Sequence, residues 1–332
     1  MAVVTSPVDE FEQIAKLLRP LTDGAPEALD LLDDAAVIPS RPGYDLVISK
    51  DAMVEGVHFL PDDPLDLVAG KLLRANLSDL AAKAAEPYAY LLATAWSPRC
   101  GWAEREAFAA WLRGDQDLFG LRLIGGDTVA TPGPLTLSLT VLGWVPAGRM
   151  VRRGGARAGD MLMVSGTIGD GWLGLDAARG GLPGLSAADR DWLADRYRRP
   201  QPRLALREAL LAHATAAADV SDGLIADAGH IGEASGLAVE IDLDAVPLSE
   251  AATKWTAAQP DQAAALTSLA TGGDDYEIVC TVAPEDAGAF QAMSQAAGVA
   301  MTRIGRVAVG DGVTVLQNEQ PLTISRTGYR HR

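Results

Sequence analysis

The chain has 332 residues, 48% apolar and 22% charged, enough for two domains at about 100–200 residues each with a sizeable core. Lysine plus arginine number 28 against 44 aspartate plus glutamate, a formal net charge of −16. That excess argues against nucleic-acid or anionic-membrane partners, and a phosphorylated substrate would need local help from cations or helix N-termini.

Ser6-Pro7 followed by Asp9 and Glu10 reads as an N-cap, an N1 proline and an acidic first turn. Phe11, Ile14, Leu17 and Leu18 then recur at helical spacing, and Pro20 is expected to end the helix. No basic stretch leads into an apolar run here, so no signal peptide is expected and a cytoplasmic location is the default. Short β-rich runs follow at 36–38 and 46–49, then one long helix or two over 65–85. Strand-like runs return at 88–96, 121–124 and in the alternating 135–141. The longest apolar stretch, 135–145, is about half a membrane span and is broken by Thr136, Ser138 and Thr140. A glycine- and arginine-rich break over 146–160 marks the expected domain boundary, giving domains 1–148 and 149–332. Beyond it we expect strands at 161–165, 217–220, 238–243, 276–282 and 301–307, with helices at 203–213 and 223–235. Both halves therefore read as α/β or α+β. Asp79 and Asp127 lie 48 residues apart and Asp222 and Asp274 lie 52 apart, an echo that chance or domain duplication would equally give.

Aspartates stand out at the ends of predicted strands or the starts of helices: Asp33-Asp34, Asp51, Asp79, Asp127, Asp219 and Asp222. Carboxylates gathered from several elements are what Mg²⁺ needs, although each alone reads equally as a helix cap or turn residue. Capping explains less where the aspartate follows a glycine pair, as Asp127 and Asp274 do. Those pairs, Gly125-Gly126 and Gly272-Gly273, suit either a backbone approach to a ligand or a plain tight turn. There is no G-x-x-x-x-G-K-[ST], and Gly166-Thr-Ile-Gly-Asp-Gly171 does not fit G-x-G-x-x-G, so ATP as phosphoryl donor would depend on metal ions and not on a P-loop lysine. The four histidines are scattered without H-E-x-x-H, and His58 falls on a predicted loop after Asp51. Ser165 and Ser221 have no neighbouring histidine to suggest a hydrolase triad. Cys100 and Cys280 sit far apart without C-x-x-C, indicating neither a disulfide framework nor a zinc site. Arg149, Arg152 and Arg153 would form a solvated hinge face or grip phosphate.

Seven blocks in order carry a resemblance. They are Asp33-Asp-Ala-Ala-Val37, Asp51-Ala-Met-Val-Glu-Gly-Val-His-Phe59, Asn76-Leu-Ser-Asp-Leu-Ala-Ala82 and Leu123-Ile-Gly-Gly-Asp-Thr128, then Asp219-Val-Ser-Asp-Gly-Leu224, Gly272-Gly-Asp-Asp-Tyr-Glu277 and Gly328-Tyr329. From about Phe11 to Tyr329 the chain resembles the bacterial thiamine-monophosphate kinases, within the group built like aminoimidazole ribonucleotide synthetase (PurM-like). The resemblance implies two domains with mixed sheets flanked by helices, the first binding metal and ATP and dimerising, the second completing the nucleotide and substrate site. It implies ATP-dependent phosphorylation of thiamine monophosphate to thiamine diphosphate by a cytoplasmic homodimer using several Mg²⁺ ions. By motif position, Asp34, Ser49, Lys50, Asp51, Asp79, Asp127, Asp219 and Asp222 would hold metal. Gly126, Asp127, Arg153 and Ser221 would meet ATP, while His58, Asp274 and Tyr329 would meet the thiamine phosphate.

The chain departs from the family pattern at three places: Leu32 stands for the usual glycine, Lys50 for threonine and Asp274 for glutamate. A protonated ammonium cannot ligate Mg²⁺. We therefore expect Lys50 to offer its main-chain carbonyl and send its ammonium outward, with Ser49 and Asp51 converging only through a bulge or strand end. Two other readings are another ATP-dependent synthetase of the same group and a non-catalytic Mg-nucleotide-binding protein.

Overall fold

Asp9 caps the first helix of the computed structural model, which describes residues 9–324 and 326–329. Its carboxylate accepts the Glu12 N–H at 2.8 Å at the head of α1 (Glu10–Gln13); Ser6 and Pro7 lie outside the described residues. The helix tightens and loosens through a π turn (Ile14–Leu18) and a 3₁₀ turn (Arg19–Thr22), so Pro20 sits inside a turn and does not end the helix. Phe11, expected on the apolar face, is 77% exposed. The expected strand at 36–38 does not form; Ala36 and Ile38 pack instead with Ala28, Ala89, Ile124 and Leu142.

The chain divides into two units, Met1–Leu80 with Glu86–Gly148 and Ala81–Ala85 with Arg149–Arg332. The first holds a four-stranded sheet of β1 (Tyr44–Val54), β2 (Glu86–Trp96), β3 (Arg122–Ala130) and β4 (Thr136–Pro146). Its order is β1-β4-β2-β3, antiparallel except for the parallel β2–β3 pair. Two helices, α2 (Leu65–Ala82) and α3 (Trp102–Phe119), complete it, with α2 reaching Ala81 and Ala82 in the second unit. α3 has no counterpart among the predicted elements; Gly120 ends it in the left-handed conformation at φ 72°.

β1 pairs with β4 without interruption from Tyr44 to Val54, opposite the bulge expected near Asp51. Side chains two apart on a strand share a face, so Ser49 and Asp51 already point the same way, and our expectation that only an irregularity brings them together is wrong. Lys50 faces the other side, is exposed, and stands opposite Thr140. β3 runs past the predicted 121–124 to Ala130, which places Gly125-Gly126-Asp127 inside a strand and not in a tight turn. Gly126 sits at φ 152°, and a Cβ there would lie 1.8 Å from the Leu92 carbonyl oxygen, so the crowding backbone of β2 demands glycine.

The second unit carries a seven-stranded mixed sheet of β5 (Met161–Ser165), β6 (Ala214–Val220), β7 (Ala238–Asp242), β8 (Glu277–Val282), β9 (Met301–Ala308), β10 (Val313–Gln317) and β11 (Gln320–Leu322). The order is β11-β10-β7-β9-β5-β8-β6, with only β7–β10 parallel. Helices α4 (Asp170–Ala178), α5 (Ala187–Arg198), α6 (Arg207–His213), α7 (Leu224–Ser235), α8 (Glu250–Ala257), α9 (Gln262–Thr271) and α10 (Ala287–Ala296) flank it. All six residues of β8 are buried, because both sheet faces are covered. Val164, Val220, Ile225 and Val279 fill one side, while Met163, Ile278, Cys280 and Phe290 fill the other. The repeated aspartates do not fall on matching structure: Asp127 lies within a strand, whereas Asp274 precedes one. Among the described residues no helix is long and apolar enough to cross a membrane.

Candidate active site

In the first unit the proposed metal residues fall into two groups. Ser49 Oγ donates to Asp79 Oδ2 at 2.5 Å, and the Asp51 N–H donates to Asn76 Oδ1 at 3.1 Å. These contacts bring α2 alongside β1 and set Asp51 near Asp79. Burial, reinforced by the Asp79 charge, raises the Asp51 carboxyl to about 6. Asp34, Gly126 and Asp127 line a separate cavity of about 570 Å³, together with Asp33 and the apolar Leu31, Leu91 and Ile124. The register places Asp127 opposite Ala93, and Ala93 opposite Ser138, on the face that Ala52 and not Asp51 shares. The two groups therefore occupy opposite faces of the sheet. Among the described residues no three His, Cys, Asp or Glu side chains converge in the manner of a ready cation site. The Ser49–Asp51–Asp79 group still suits Mg²⁺, since its donors are all oxygen and a cation would offset both the burial and the Asp79 charge that lift Asp51. His58 shapes the chain after β1: its Nδ1 accepts the Val54 N–H at 3.0 Å and its carbonyl accepts Lys71 Nζ at 3.0 Å.

In the second unit one loop gathers most of the remaining residues. Asp219, 4% exposed, is the penultimate residue of β6, and Ser221 and Asp222 follow the strand into the turn before α7. The Asp274 N–H donates to the Ser221 carbonyl at 2.9 Å, and the Tyr329 N–H to the Asp222 carbonyl at 2.8 Å. Asp274 and Tyr329, 55 residues apart (329 − 274), are thus fastened to adjacent peptides. A cavity of about 830 Å³ opens beside them, lined by Asp222, Ile225, His230, Asp311 and Tyr329 among others. Asp274 and Tyr276 hold left-handed backbone, φ 71° and 51°, a strain that non-glycine residues keep only where surroundings enforce it. Arg153 is exposed and makes no hydrogen bond or ion pair among the described residues.

Sequence reasoning passed over the residues that hold this arrangement. Asp227 Oδ2 accepts three N–H groups, from Ser221 at 3.0 Å, Asp222 at 3.1 Å and Gly223 at 3.2 Å. Burial, then the Asp222 charge, raises its carboxyl to about 6. Asp275 accepts from Gly169 N and Gly171 N at 2.8 and 2.9 Å, and complete burial pushes it well above the usual carboxylate range. Glu277, wholly buried, takes Ser165 Oγ at 2.6 Å and Arg203 Nε at 2.6 Å, with Arg196 at 3.1 Å. The signal for Asp227 was present as a carboxylate in the first turn of α7, where it meets free amide groups.

Comparison with known proteins gives the same assignment along the whole chain. Residues 32–145 match the AIR synthase related protein N-terminal domain, and 157–317 match the AIR synthase related protein C-terminal domain. The chain is 56% identical over 330 residues to the thiamine-monophosphate kinase of Caulobacter vibrioides, covering 99% of this chain and 93% of that one. Among solved structures, the thiamine-monophosphate kinase of Stenotrophomonas maltophilia superimposes with a TM-score of 0.82 at 38% identity, over 93% of this chain and 96% of that one. AaThiL complexed with AMPPCP and TMP gives a TM-score of 0.76 at 26% identity, over 88% and 89%. The chain belongs to the thiamine-monophosphate kinase family.

Proposed function

We infer that this protein transfers the γ-phosphoryl group of ATP to thiamine monophosphate, giving thiamine diphosphate and ADP. The full-length match to the Caulobacter kinase carries the reading. The acceptor is a phosphate monoester whose oxygen is already anionic near neutral pH, so no side chain is needed to remove a proton. What the chain must do is hold two anions in line and exclude competing geometries.

Ser49, Asp51 and Asp79 would hold Mg²⁺ on the α2 side of the first sheet, with the Lys50 carbonyl, and Asp34 and Asp127 would do so in the cavity on its other face. Asp219 and Asp222 would hold Mg²⁺ in the second unit. When bound, the cations would neutralise charge on the transferring group. Gly126, Asp127, Arg153 and Ser221 would contact ATP; His58, Asp274 and Tyr329 would contact the thiamine phosphate. In this scheme residues 1–148 bind metal and nucleotide and form the dimer, and 149–332 complete the nucleotide and substrate contacts. Asp227 would contribute to orientation by holding the 221–223 loop through its three N–H contacts. We also propose a cytoplasmic homodimer. Ile48 at 59% and Val129 at 52% exposure leave apolar surface on the outer face of the first sheet, which a second copy would cover.

A coupled ADP-release assay tests the reading with thiamine monophosphate, formylglycinamidine ribonucleotide and selenide offered in turn, with and without Mg²⁺. Turnover is expected with thiamine monophosphate and Mg²⁺. Turnover on another acceptor instead, or ATP binding with no turnover at all, would overturn it. Light scattering of the purified protein checks the dimer.

A further inference from the structure

Trp172 lies in the first turn of α4 and is 38% exposed. Its Cβ and Cγ occupy the space beside Gly272, where an added Cβ would come within 2.5 and 2.6 Å of them. The stem of the indole therefore rests on the backbone of the Gly272-Gly273 pair, and any side chain at 272 would displace it. Trp255 of α8 packs against it in a T-shaped pair, with centroids 5.7 Å apart and planes at 72°, and Trp172 still keeps its exposed surface. The residue before Trp172 is pressed against the same loop from within: a Cβ on Gly171 would lie 2.2 Å from the Asp274 carbonyl oxygen. The Gly171 N–H also donates to Asp275 at 2.9 Å. The first turn of α4 and the 272–275 loop are thus locked backbone to backbone. One carries an open indole and the other carries the Asp274 carboxylate, held on strained backbone with the Tyr276 hydroxyl 3.1 Å from its Oδ1.

An indole and a carboxylate presented together suit one kind of ligand, a flat ring bearing positive charge. Tryptophan offers the strongest π-face for a cation, and Asp274, two residues beyond the Gly272 backbone on which the indole stem rests, puts a negative charge on the same loop. Of the two substrates, only thiamine monophosphate carries such a ring, a quaternised thiazolium; the adenine of ATP is neutral. We propose that Trp172 is a specificity residue of the acceptor subsite, its open indole taking the cationic ring of the thiamine phosphate beside Asp274. The proposal rests on the kinase reading above. It adds the residue that would tell this acceptor from other phosphate esters. The binding energy comes from a charge remote from the reacting phosphate, so it would appear in KM more than in kcat.

The test is steady-state kinetics of the full-length enzyme and of Trp172→Ala and Trp172→Phe, at saturating ATP. In Trp172→Ala the KM for thiamine monophosphate should rise about five- to twentyfold, a range that cation–π contacts support. The KM for ATP and kcat should stay within about twofold, and Trp172→Phe should recover most of the loss. An acceptor analogue with carbon in place of the quaternary nitrogen should be discriminated against by the wild type and no longer by Trp172→Ala. If Trp172→Ala is poorly folded, thiamine monophosphate titrated into wild type and Trp172→Phe gives a second readout. Quenching of tryptophan fluorescence in the wild type alone is expected, and equal quenching in both overturns the proposal. An unchanged KM in Trp172→Ala overturns it while leaving the kinase intact. A KM rise confined to Tyr329→Ala does the same and moves the ring to the cavity beside Tyr329. Absence of any wild-type turnover on thiamine monophosphate defeats the underlying reading instead.

Discussion

Asp127 sits exposed inside β3, opposite Ala93, and caps no helix and closes no turn. Replacing it with asparagine removes a charge without removing a support. Asp127→Asn should therefore lose turnover by about two orders of magnitude or more, in the range of other electrostatic contributions to transfer, while its melting curve stays that of the parent. Near-normal activity in the purified variant would remove Asp127 from the metal residues. Lys50 makes the opposite case. Its side chain is exposed and leaves the strand away from Ser49, Asp51 and Asp79, on the face that Asp127 uses further across the sheet. Lys50→Thr should then change the Mg²⁺ dependence of turnover by less than about threefold, roughly 0.7 kcal/mol. A tenfold shift would mean that the ammonium holds phosphate or stands in for a metal charge. At this scale the sequence offers residue types and not directions. Asp51, Asp79 and Asp127 were visible as chemistry, but which face each one uses depends on strand register, and β1 alone contains no signal for its pairing with β4.

The loop and helix start at 221–227 turn on one oxygen. Because a single atom of Asp227 accepts all three N–H groups, an asparagine amide oxygen can take its place. Asp227→Asn should stay folded, whereas Asp227→Ala leaves three inward amides unsatisfied and should lose about 2–3 kcal/mol. The raised carboxyl also gives a sign. With a native value of about 6 against an ordinary 3.8, the native state binds the extra proton between those values. Stability from this group is therefore greatest below pH 4, falls as pH rises towards 6, and is level above, by an amount on the order of 2–3 kcal/mol. Urea midpoints measured in EDTA across pH 4–7 should show this slope flattened in Asp227→Asn; identical slopes would refute the assignment. Elements with strong periodic signals, such as β5, β9 and α7, were legible to within a residue or so. The run at 36–38 had strand-forming residues but no partner edge to pair with. In β3 the glycine pair reads as either a ligand approach or a turn, because glycine's local freedom is visible in sequence, while the nearness of the Leu92 backbone is not.

Across the whole molecule the dominant quantity is a formal charge of −16, and six of the 44 carboxylates are those proposed for metal. Repulsion among such groups weakens the folded state until cations bind it, and a ligand that binds only the native form adds stability by mass action. Melting temperatures should accordingly rise from EDTA to Mg²⁺ to Mg²⁺ with an unhydrolysable ATP analogue. Superimposable curves in all three would contradict the metal assignment as a whole. The family and the two-part α/β character were plain from motif order and alternating elements. The division itself was not fully so. Ala81–Ala85 belong with the second unit, a fact set by burial of Ala81, Ala82 and Ala84 against Leu206 and Phe290 and not by any break in composition.

The fully buried β8, flanked by β5 and β6, turns Cys280 into a clock. Its thiol has no exposed surface, and burial raises its pKa, so the folded protein offers a reagent no thiolate to attack. Modification must wait for the strand to be uncovered, and strands hidden on both faces open only in the rarest excursions. In a Cys100→Ser background, the rate at which an aromatic disulfide reagent labels Cys280 should match the opening frequency of the second unit, and should slow further when nucleotide and Mg²⁺ are added. Labelling within seconds under native conditions would show that β8 is released by a local motion far smaller than unfolding.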